Sequence, residues 1–284
     1  ARDIEAVITM KDEPEKTVRL PDLKILIRGA GEMATGCACR LHNSGFFRII
    51  LTEIENPLAV RRSVSFCEAV QDGSCTVENI RAERIDRVEE TESLWNRRVI
   101  PVLVDPEAVG KESLKPDVLI DAILAKRNFG TSMKDAPLVI ALGPGFYAGS
   151  DAHYVIETNR GHDLARLICS GYAAPNTGVP GPIGGHSVLR VLRAPAEGIF
   201  RSALSVGAHI EDGQVVAYVG EEPVRARLTG ILRGLIRSGT YVTTHLKVGD
   251  IDPRGDDSYC VRISEKAGAI GGAVLEAILR TYNT

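Results

Sequence analysis

The sequence has no hydrophobic run long enough to span a membrane and no excess of basic residues. A spanning helix needs roughly 18 apolar residues, and no stretch approaches that length. Lys and Arg total 34 against 37 Asp and Glu, so the net charge is −3. Without a global basic field we expect no nucleic-acid partner, and we expect no membrane partner. An anionic ligand must therefore be held by a local cluster of charges.

Paired cysteines and a secretory segment are also lacking. The six cysteines are scattered without the close spacing that is typical of zinc sites, so we predict no metal site. The first residues contain no apolar segment of the kind that directs secretion. A reducing cytoplasm is the compartment that these features favour.

The length of 284 residues predicts two domains and a sizeable core. Residues 1–22 are charged and form an N-terminal extension. Residues 23–180 alternate strand and helix patterns, which predicts a Rossmann-like α/β domain with a mostly parallel sheet, followed by a β-hairpin and a Pro- and Gly-rich linker. The predicted strands of this sheet are residues 24–28, 48–52, 99–104, 118–124 and 138–142.

An internal repeat dominates the next segment, residues 186–254. The run from Gly198 to Arg201 recurs 32 residues later, at Gly230 to Arg233. Tandem β units with turn glycines predict a barrel-sandwich domain similar to biotinyl and lipoyl domains. Those carriers hold their prosthetic group on a lysine at a hairpin turn, but residues 220–223 contain none, so we predict no covalent biotin or lipoate. Residues 255–284 contain an amphipathic C-terminal helix that is expected to pack back on the first domain.

A glycine-rich turn follows the first predicted strand. Gly29 and Gly31 belong to a G-x-G-x-x-A motif between that strand and a helix, where backbone N–H groups bind diphosphates. Glu53, at the end of the second strand, stands where a carboxylate commonly binds ribose. A tight turn without a nucleotide is the alternative interpretation.

Cations and two further glycines lie near the carboxyl ends of the predicted strands. Ligands bind at that edge of open α/β sheets, so these residues are candidates for neutralising phosphates. The polar turn that follows them adds an arginine and a histidine, which could contact an anion and exchange a proton. Solvated surface and ordinary turns are the alternatives. The candidates are Arg28, Arg61, Arg62, Lys126, Gly143, Gly145, Arg160 and His162.

Ordered motifs over nearly the whole chain after residue 22 resemble the YqeB-type accessory family of selenium-dependent molybdenum hydroxylases. The α/β part is similar to xanthine dehydrogenase accessory proteins. The motifs are residues 28–36 (RGAGEMATG), 40–46 (RLHNSGF), 57–62 (PLAVRR) with 65–66 (SF), 121–126 (DAILAK), 142–146 (LGPGF), 155–162 (VIETNRGH), 175–178 (PNTG) and 247–254 (KVGDIDPR).

The resemblance implies a maturation factor that binds a molybdopterin dinucleotide or a related nucleotide and assists selenation, sulfuration or insertion of the cofactor. Its implied partners are the molybdenum hydroxylase and other maturation proteins, and a homo-oligomer is compatible with it. No catalytic residue carries over, so whether the chain is an enzyme stays open. Two alternatives stay open as well: an NAD(P)-dependent oxidoreductase, and a non-catalytic scaffold that binds the hydroxylase.

Overall fold

A computed structural model describes residues 19–283. Of the predicted extension, residues 1–22, positions 1–18 lie outside the described residues. No helix within 19–283 combines the length and apolar character needed to cross a bilayer. The α-helices over this range are α1 (Glu32–Asn43), α2 (Glu68–Asp72), α3 (Thr91–Asn96), α4 (Lys111–Leu114) and α5 (Glu265–Tyr282).

The first part of the chain builds one large mixed sheet. Its strands are, in chain order, β1 (Ile25–Arg28), β2 (Ile49–Glu53), β3 (Ser74–Val77), β4 (Ile80–Ile85), β5 (Ile100–Val104), β6 (Val118–Asp121), β7 (Leu138–Leu142), β8 (Tyr147–Ala148), β9 (Tyr154–Ile156), β10 (Leu167–Ile168) and β11 (Gly171–Tyr172). Nine of them are ordered β10-β9-β7-β6-β1-β2-β5-β4-β3, and β8 pairs separately with β11. The central strands β1, β6 and β7 are buried along their whole length, which explains their continuous apolar sequences.

The second part consists of two four-stranded antiparallel sheets. Its strands are β12 (Val191–Arg193), β13 (Gly198–Arg201), β14 (His209–Ile210), β15 (Val215–Val219), β16 (Glu222–Arg225), β17 (Gly230–Leu235), β18 (Tyr241–Val242) and β19 (Lys247–Asp252). The sheet orders are β12-β19-β17-β14 and β16-β15-β13-β18. The two repeat units pair reciprocally, because Gly198 lies opposite Val242 whereas Gly230 lies opposite Ile210.

The predicted fold class, a Rossmann-like mostly parallel sheet followed by a biotinyl- or lipoyl-like barrel-sandwich domain, is wrong. The large sheet is mixed, since β3 and β10 run antiparallel to their neighbours at its two edges. Within residues 19–283, the connection from β1 to β2 is the one among the sheet's connections with a helix longer than six residues, α1 with twelve, whereas α3 and α4 have only six and four. The sequence pattern located five strands of the sheet and the hairpin of β9 and β10, but it missed β3 and β4, and the repeat did not by itself define a carrier domain.

Helix α5 lies against α1, at the first sheet. A Cβ added at Gly36 would stand 2.8 Å from the carbonyl oxygen of Ala267, and one at Gly271 would stand 2.7 Å from that of Gly36. Two helix backbones therefore touch through glycine. This contact brings the first turn of α5 next to the end of β1, where the candidate site lies.

Candidate anion-binding cleft

The glycine turn joins β1 to α1, and its two glycines differ in whether the fold requires them. Gly29 has φ +93°, and an added Cβ would lie 3.0 Å from the carbonyl oxygen of Ala122, so the fold requires glycine there. Gly31 has φ −70° and nothing within 4 Å of an added Cβ. No side chain caps the N-terminus of α1. The fold itself therefore leaves open space and uncapped N–H groups at Gly31.

Glu53 holds this turn in place. Its two carboxylate oxygens accept hydrogen bonds from the backbone N–H groups of Ala30, at 2.9 Å, and Ile54, at 2.8 Å. Burial raises the pKa of Glu53, and the two backbone donors oppose that rise. The residue predicted to bind ribose thus has a structural partner for each of its oxygens.

Glu32 lines the chamber at Gly31, but its carboxylate is engaged by other groups of the protein. Its carboxylate lies 3.3 Å from a guanidinium nitrogen of Arg61 and accepts a 3.3 Å hydrogen bond from the N–H of Ser264, directly before α5. Arg61 is buried and also donates to the carbonyl oxygens of Tyr259 and Arg262. The negative charge in the glycine motif is therefore neutralised by a cation and by the start of α5.

A large open cleft separates the carboxyl ends of the parallel strands from the second part of the chain. Its volume is about 800 Å³, and a smaller chamber of about 480 Å³ at the glycine turn shares Glu32, Met33, Arg61, Leu124 and Lys247 with it. Eight cationic side chains but only two carboxylates, Glu32 and Asp250, line the larger space. The cations are Arg61, Lys126, Arg160, Arg190, Arg193, Arg233, Lys247 and Lys266.

Three of the predicted cations line this cleft: Arg61, Lys126 and Arg160. Lys126 has φ +65°, an uncommon conformation for a lysine. Arg160 forms an ion pair with Glu265 at the start of α5 and packs against Gly181 of the Pro- and Gly-rich connection. The structure therefore gathers these residues from three separate segments.

The other predicted cations lie elsewhere. Arg28 is buried and donates hydrogen bonds to the carbonyl oxygen of Phe129 and to Thr131 Oγ1. Its guanidinium also lies 3.6 Å from the carboxylate of Asp121. The last side chain of β1 thus turns into the protein and not toward a ligand. Arg62 pairs with Glu68 at 2.8 Å in a groove on the other side of its loop.

The remaining predicted residues have local roles. Gly143 and Gly145 have positive φ, and an added Cβ would collide with Thr158 at Gly143 and with the backbone of Arg127 at Gly145. These two glycines therefore permit close packing next to the cleft. His162 is exposed and is not among the residues that line the cleft.

Sequence interpretation missed the residues that the second part contributes. Asp250 is fully buried and accepts hydrogen bonds from Arg190 and Arg233, with Lys247 Nζ at 3.8 Å. Burial alone would raise the pKa of Asp250, but these three cations hold it below its usual value. The available signal in the sequence was the position of Asp250 between Gly249 and Ile251, within the motif of residues 247–254.

No group of three or more His, Cys, Asp or Glu side chains suited to a metal occurs within residues 19–283. The thiols of Cys37 and Cys39 are buried, and burial raises the pKa of each to about 12. Both are therefore protonated at neutral pH and poor nucleophiles. The chemistry of the cleft is that of cations and backbone N–H groups, which suits a polyanionic ligand.

The cleft is thus rich in cations, and comparison of sequences adds a relative. The chain is 50% identical over 255 residues to the protein named "Uncharacterized protein YqeB" from Escherichia coli (strain K12). The match covers 90% of this chain and 47% of YqeB, so the chain spans about half the length of that relative. The resemblance to YqeB-type proteins is thereby confirmed over this range. No family model matches the chain.

Solved structures give only distant neighbours. An aspartoacylase family protein from Mesorhizobium loti is 17% identical with a TM-score of 0.27, and covers 81% of this chain and 84% of its own. The ectoine utilization protein EutE (DoeB) from Ruegeria pomeroyi is 10% identical with a TM-score of 0.25, covering 81% and 85%. TcdA (CsdL) is 13% identical with a TM-score of 0.35, covering 93% and 90%. At these scores no activity carries over to the chain.

Proposed function

We propose that the cleft binds a ligand with a diphosphate, of the dinucleotide class, and that the chain serves as a cytoplasmic accessory factor that handles such a cofactor for a selenium-dependent molybdenum hydroxylase. One observation carries the proposal. The uncapped N-terminus of α1 and the open space at Gly31 lie at the smaller chamber, which Arg61 and Lys247 share with the adjoining cleft of eight cations and two carboxylates. Helix N-termini and guanidinium groups are the donors that diphosphates prefer.

The chamber at the glycine turn fits one end of a dinucleotide. It is bordered by Gly31 and by apolar residues of two loops, Pro57 to Val60 and Ala122 to Leu124. A flat heterocycle would contact those apolar walls, whereas a diphosphate would meet the N–H groups at the start of α1. Arg61, whose buried Nε lacks a hydrogen-bond partner in the described chain, lines both spaces. Its guanidinium would help to neutralise the diphosphate.

A molybdopterin dinucleotide contains a diphosphate between a nucleoside and a pterin. The accessory role rests on the family resemblance. Because the chain spans about half of YqeB, the partners of the longer protein are part of the proposal. Selenation, sulfuration and insertion of the cofactor are the steps in which such a binder would take part.

Calorimetric titration with ADP, and with adenosine as the matched probe without phosphates, tests the binding proposal. We expect ADP to bind and adenosine to bind at least tenfold more weakly, since charged hydrogen bonds contribute about 1.5–3 kcal/mol each. Equal affinity for the two probes, or no binding of ADP, would overturn it. Mass spectrometry of small molecules released from protein purified together with a molybdenum hydroxylase tests the accessory role, for which a pterin dinucleotide is the expected ligand.

A further inference from the structure

The second part of the chain and α5 each place a lysine in the cleft. Lys247 begins β19 and Lys266 lies in the first turn of α5, and both side chains are half-buried. Lys247 lines both the large cleft and the chamber at the glycine turn, whereas Lys266 lines only the large cleft. Gly31 lines the chamber but not the large cleft, so the space that the two lysines share is the large cleft.

These ammonium groups lack full counter-charges. Lys266 has no ion-pair partner within residues 19–283, and the neighbouring Glu265 is engaged by Arg160. Lys247 has only Asp250, at 3.8 Å, a carboxylate already held by two arginines. Positive charges that approach one another in a part-buried cleft repel unless an anion joins them.

We propose that Lys247 and Lys266 form a second anion subsite, which takes a phosphate-type oxyanion separate from the diphosphate at Gly31. The inference deepens the proposed function, because it gives the ligand, or a co-bound substrate, a second anionic group. Arg160 stands beside Lys266 and supplies further positive charge from the turn that follows β9. Ammonium groups on two different elements fit a tetrahedral oxyanion that accepts hydrogen bonds in several directions.

The acidity of the two lysines agrees with this geometry. Burial is the main cause that lowers the pKa of both. For Lys247, Arg190 and Arg233 add to the lowering, whereas Asp250 and Glu32 oppose it. For Lys266, Arg160 and Lys247 add to it, whereas Glu32 and Glu157 oppose it. A bound anion would favour the charged form of both lysines, so oxyanion affinity should fall as the pH rises through their lowered pKa values.

Titration with inorganic phosphate tests the subsite, with the protein free and saturated with ADP. We expect phosphate to bind in both cases, and Lys247→Met and Lys266→Met each to weaken phosphate binding about tenfold or more, the scale of a lost charged hydrogen bond. Lys134→Met, at an exposed lysine outside the cleft, is the control and should bind phosphate as the wild type does. The melting temperature of Lys266→Met should be unchanged or higher, since this variant removes a charge without an ion-pair partner in the described chain. Lys247→Met should melt somewhat lower, because it also removes a cation beside buried Asp250.

Three results would overturn the inference: no phosphate binding by the wild type, unchanged phosphate affinity in both cleft variants, or complete displacement of phosphate by ADP. None of these depends on whether ADP discriminates against adenosine. If ADP fails to bind while phosphate binds in a lysine-dependent manner, the proposed diphosphate site fails and the second subsite stands. If ADP binds and phosphate does not, the reverse holds.

Discussion

Replacing Gly31 with aspartate separates the folding of the glycine turn from its proposed ligand binding. Gly31 is the N-cap of α1, with φ −70° and ψ −176°, and an added Cβ meets no atom within 4 Å. Aspartate is a preferred N-cap residue, because its carboxylate accepts hydrogen bonds from N–H groups of the first helical turn. Gly31→Asp should therefore fold, with a gain of a few tenths of a kcal/mol from the cap and about 0.4–1 kcal/mol from the less flexible unfolded chain.

The same carboxylate should strongly disfavour a diphosphate. Two unit charges about 5 Å apart repel by about 3 kcal/mol at an effective dielectric constant of about 20. The cleft is open to solvent, which reduces this to about 1.5–3 kcal/mol, or roughly a 10- to 150-fold rise in the Kd for ADP. Stability and affinity should thus change in opposite directions.

Gly31→Asn is the matched control, since asparagine caps a helix as well as aspartate does but carries no charge. Calorimetry with ADP and thermal unfolding should be measured for the wild type and both variants. We expect both variants to melt at or above the wild-type temperature, and aspartate to weaken ADP binding more than asparagine does. Wild-type affinity for ADP in a folded Gly31→Asp variant would refute a phosphate at this turn. A lower melting temperature in both variants would refute the statement that the fold does not need Gly31.

Three further predictions concern the framework of the cleft. Gly271→Ala should lower the free energy of unfolding by about 1–3 kcal/mol through overpacking against α1. Gly272→Ala, where an added Cβ has open space, should raise it by up to about 1 kcal/mol. Equal effects of the two substitutions in urea denaturation would contradict the contact between α1 and α5. Asp250→Asn should lower the free energy of unfolding by about 3–5 kcal/mol at pH 7, because buried arginines lose their counter-charge. The wild type should lose the same stabilisation as the pH falls below about 3.9 and through the lowered pKa of Asp250. A variant as stable as the wild type would argue against the network. Arg160→Ala should weaken ADP binding about tenfold with little change in melting temperature. Gly161→Val should instead lower the melting temperature, because φ at Gly161 is +139°. Wild-type affinity for ADP together with a lower melting temperature in Arg160→Ala would remove Arg160 from the site.

The five strands β1, β2, β5, β6 and β7 could be predicted because each is a largely apolar run that is almost entirely buried. The prediction for residues 138–142 coincides with β7, whereas the one for residues 118–124 extends three residues beyond β6. Strand β6 ends at Asp121, whose carboxylate accepts a hydrogen bond from Thr131, and Leu124 then takes φ +60°. Such an end depends on a partner ten residues away, which local sequence does not show.

Strand pairing and the position of Arg28 depended on tertiary structure in the same way. The antiparallel edge formed by β3 and β4 had no distinct signal, because neither strand is a continuous apolar run. The hairpin at the other edge, β9 and β10, was predicted from its polar turn. Arg28 ends β1 next to the ligand-binding edge, yet its guanidinium finds Thr131 and the Phe129 carbonyl oxygen inside the protein. Which way a terminal side chain turns is decided by the partners that the fold brings near it.

The Asp250 network shows why the cleft could not be assembled from sequence, and how it keeps free charge. Arg190, Arg233 and Lys247 lie on or next to β12, β17 and β19, and each in isolation resembles a solvated surface residue. Folding places one buried carboxylate among all three, and its short hydrogen bonds go to the two arginines. Asp252, 3.4 Å from Arg233, adds a second carboxylate for the two arginines, whereas Lys247 is left at 3.8 Å from Asp250 with its ammonium group in the cleft. The network thus separates structural cations from those available to a ligand, and the lysines are the ones available.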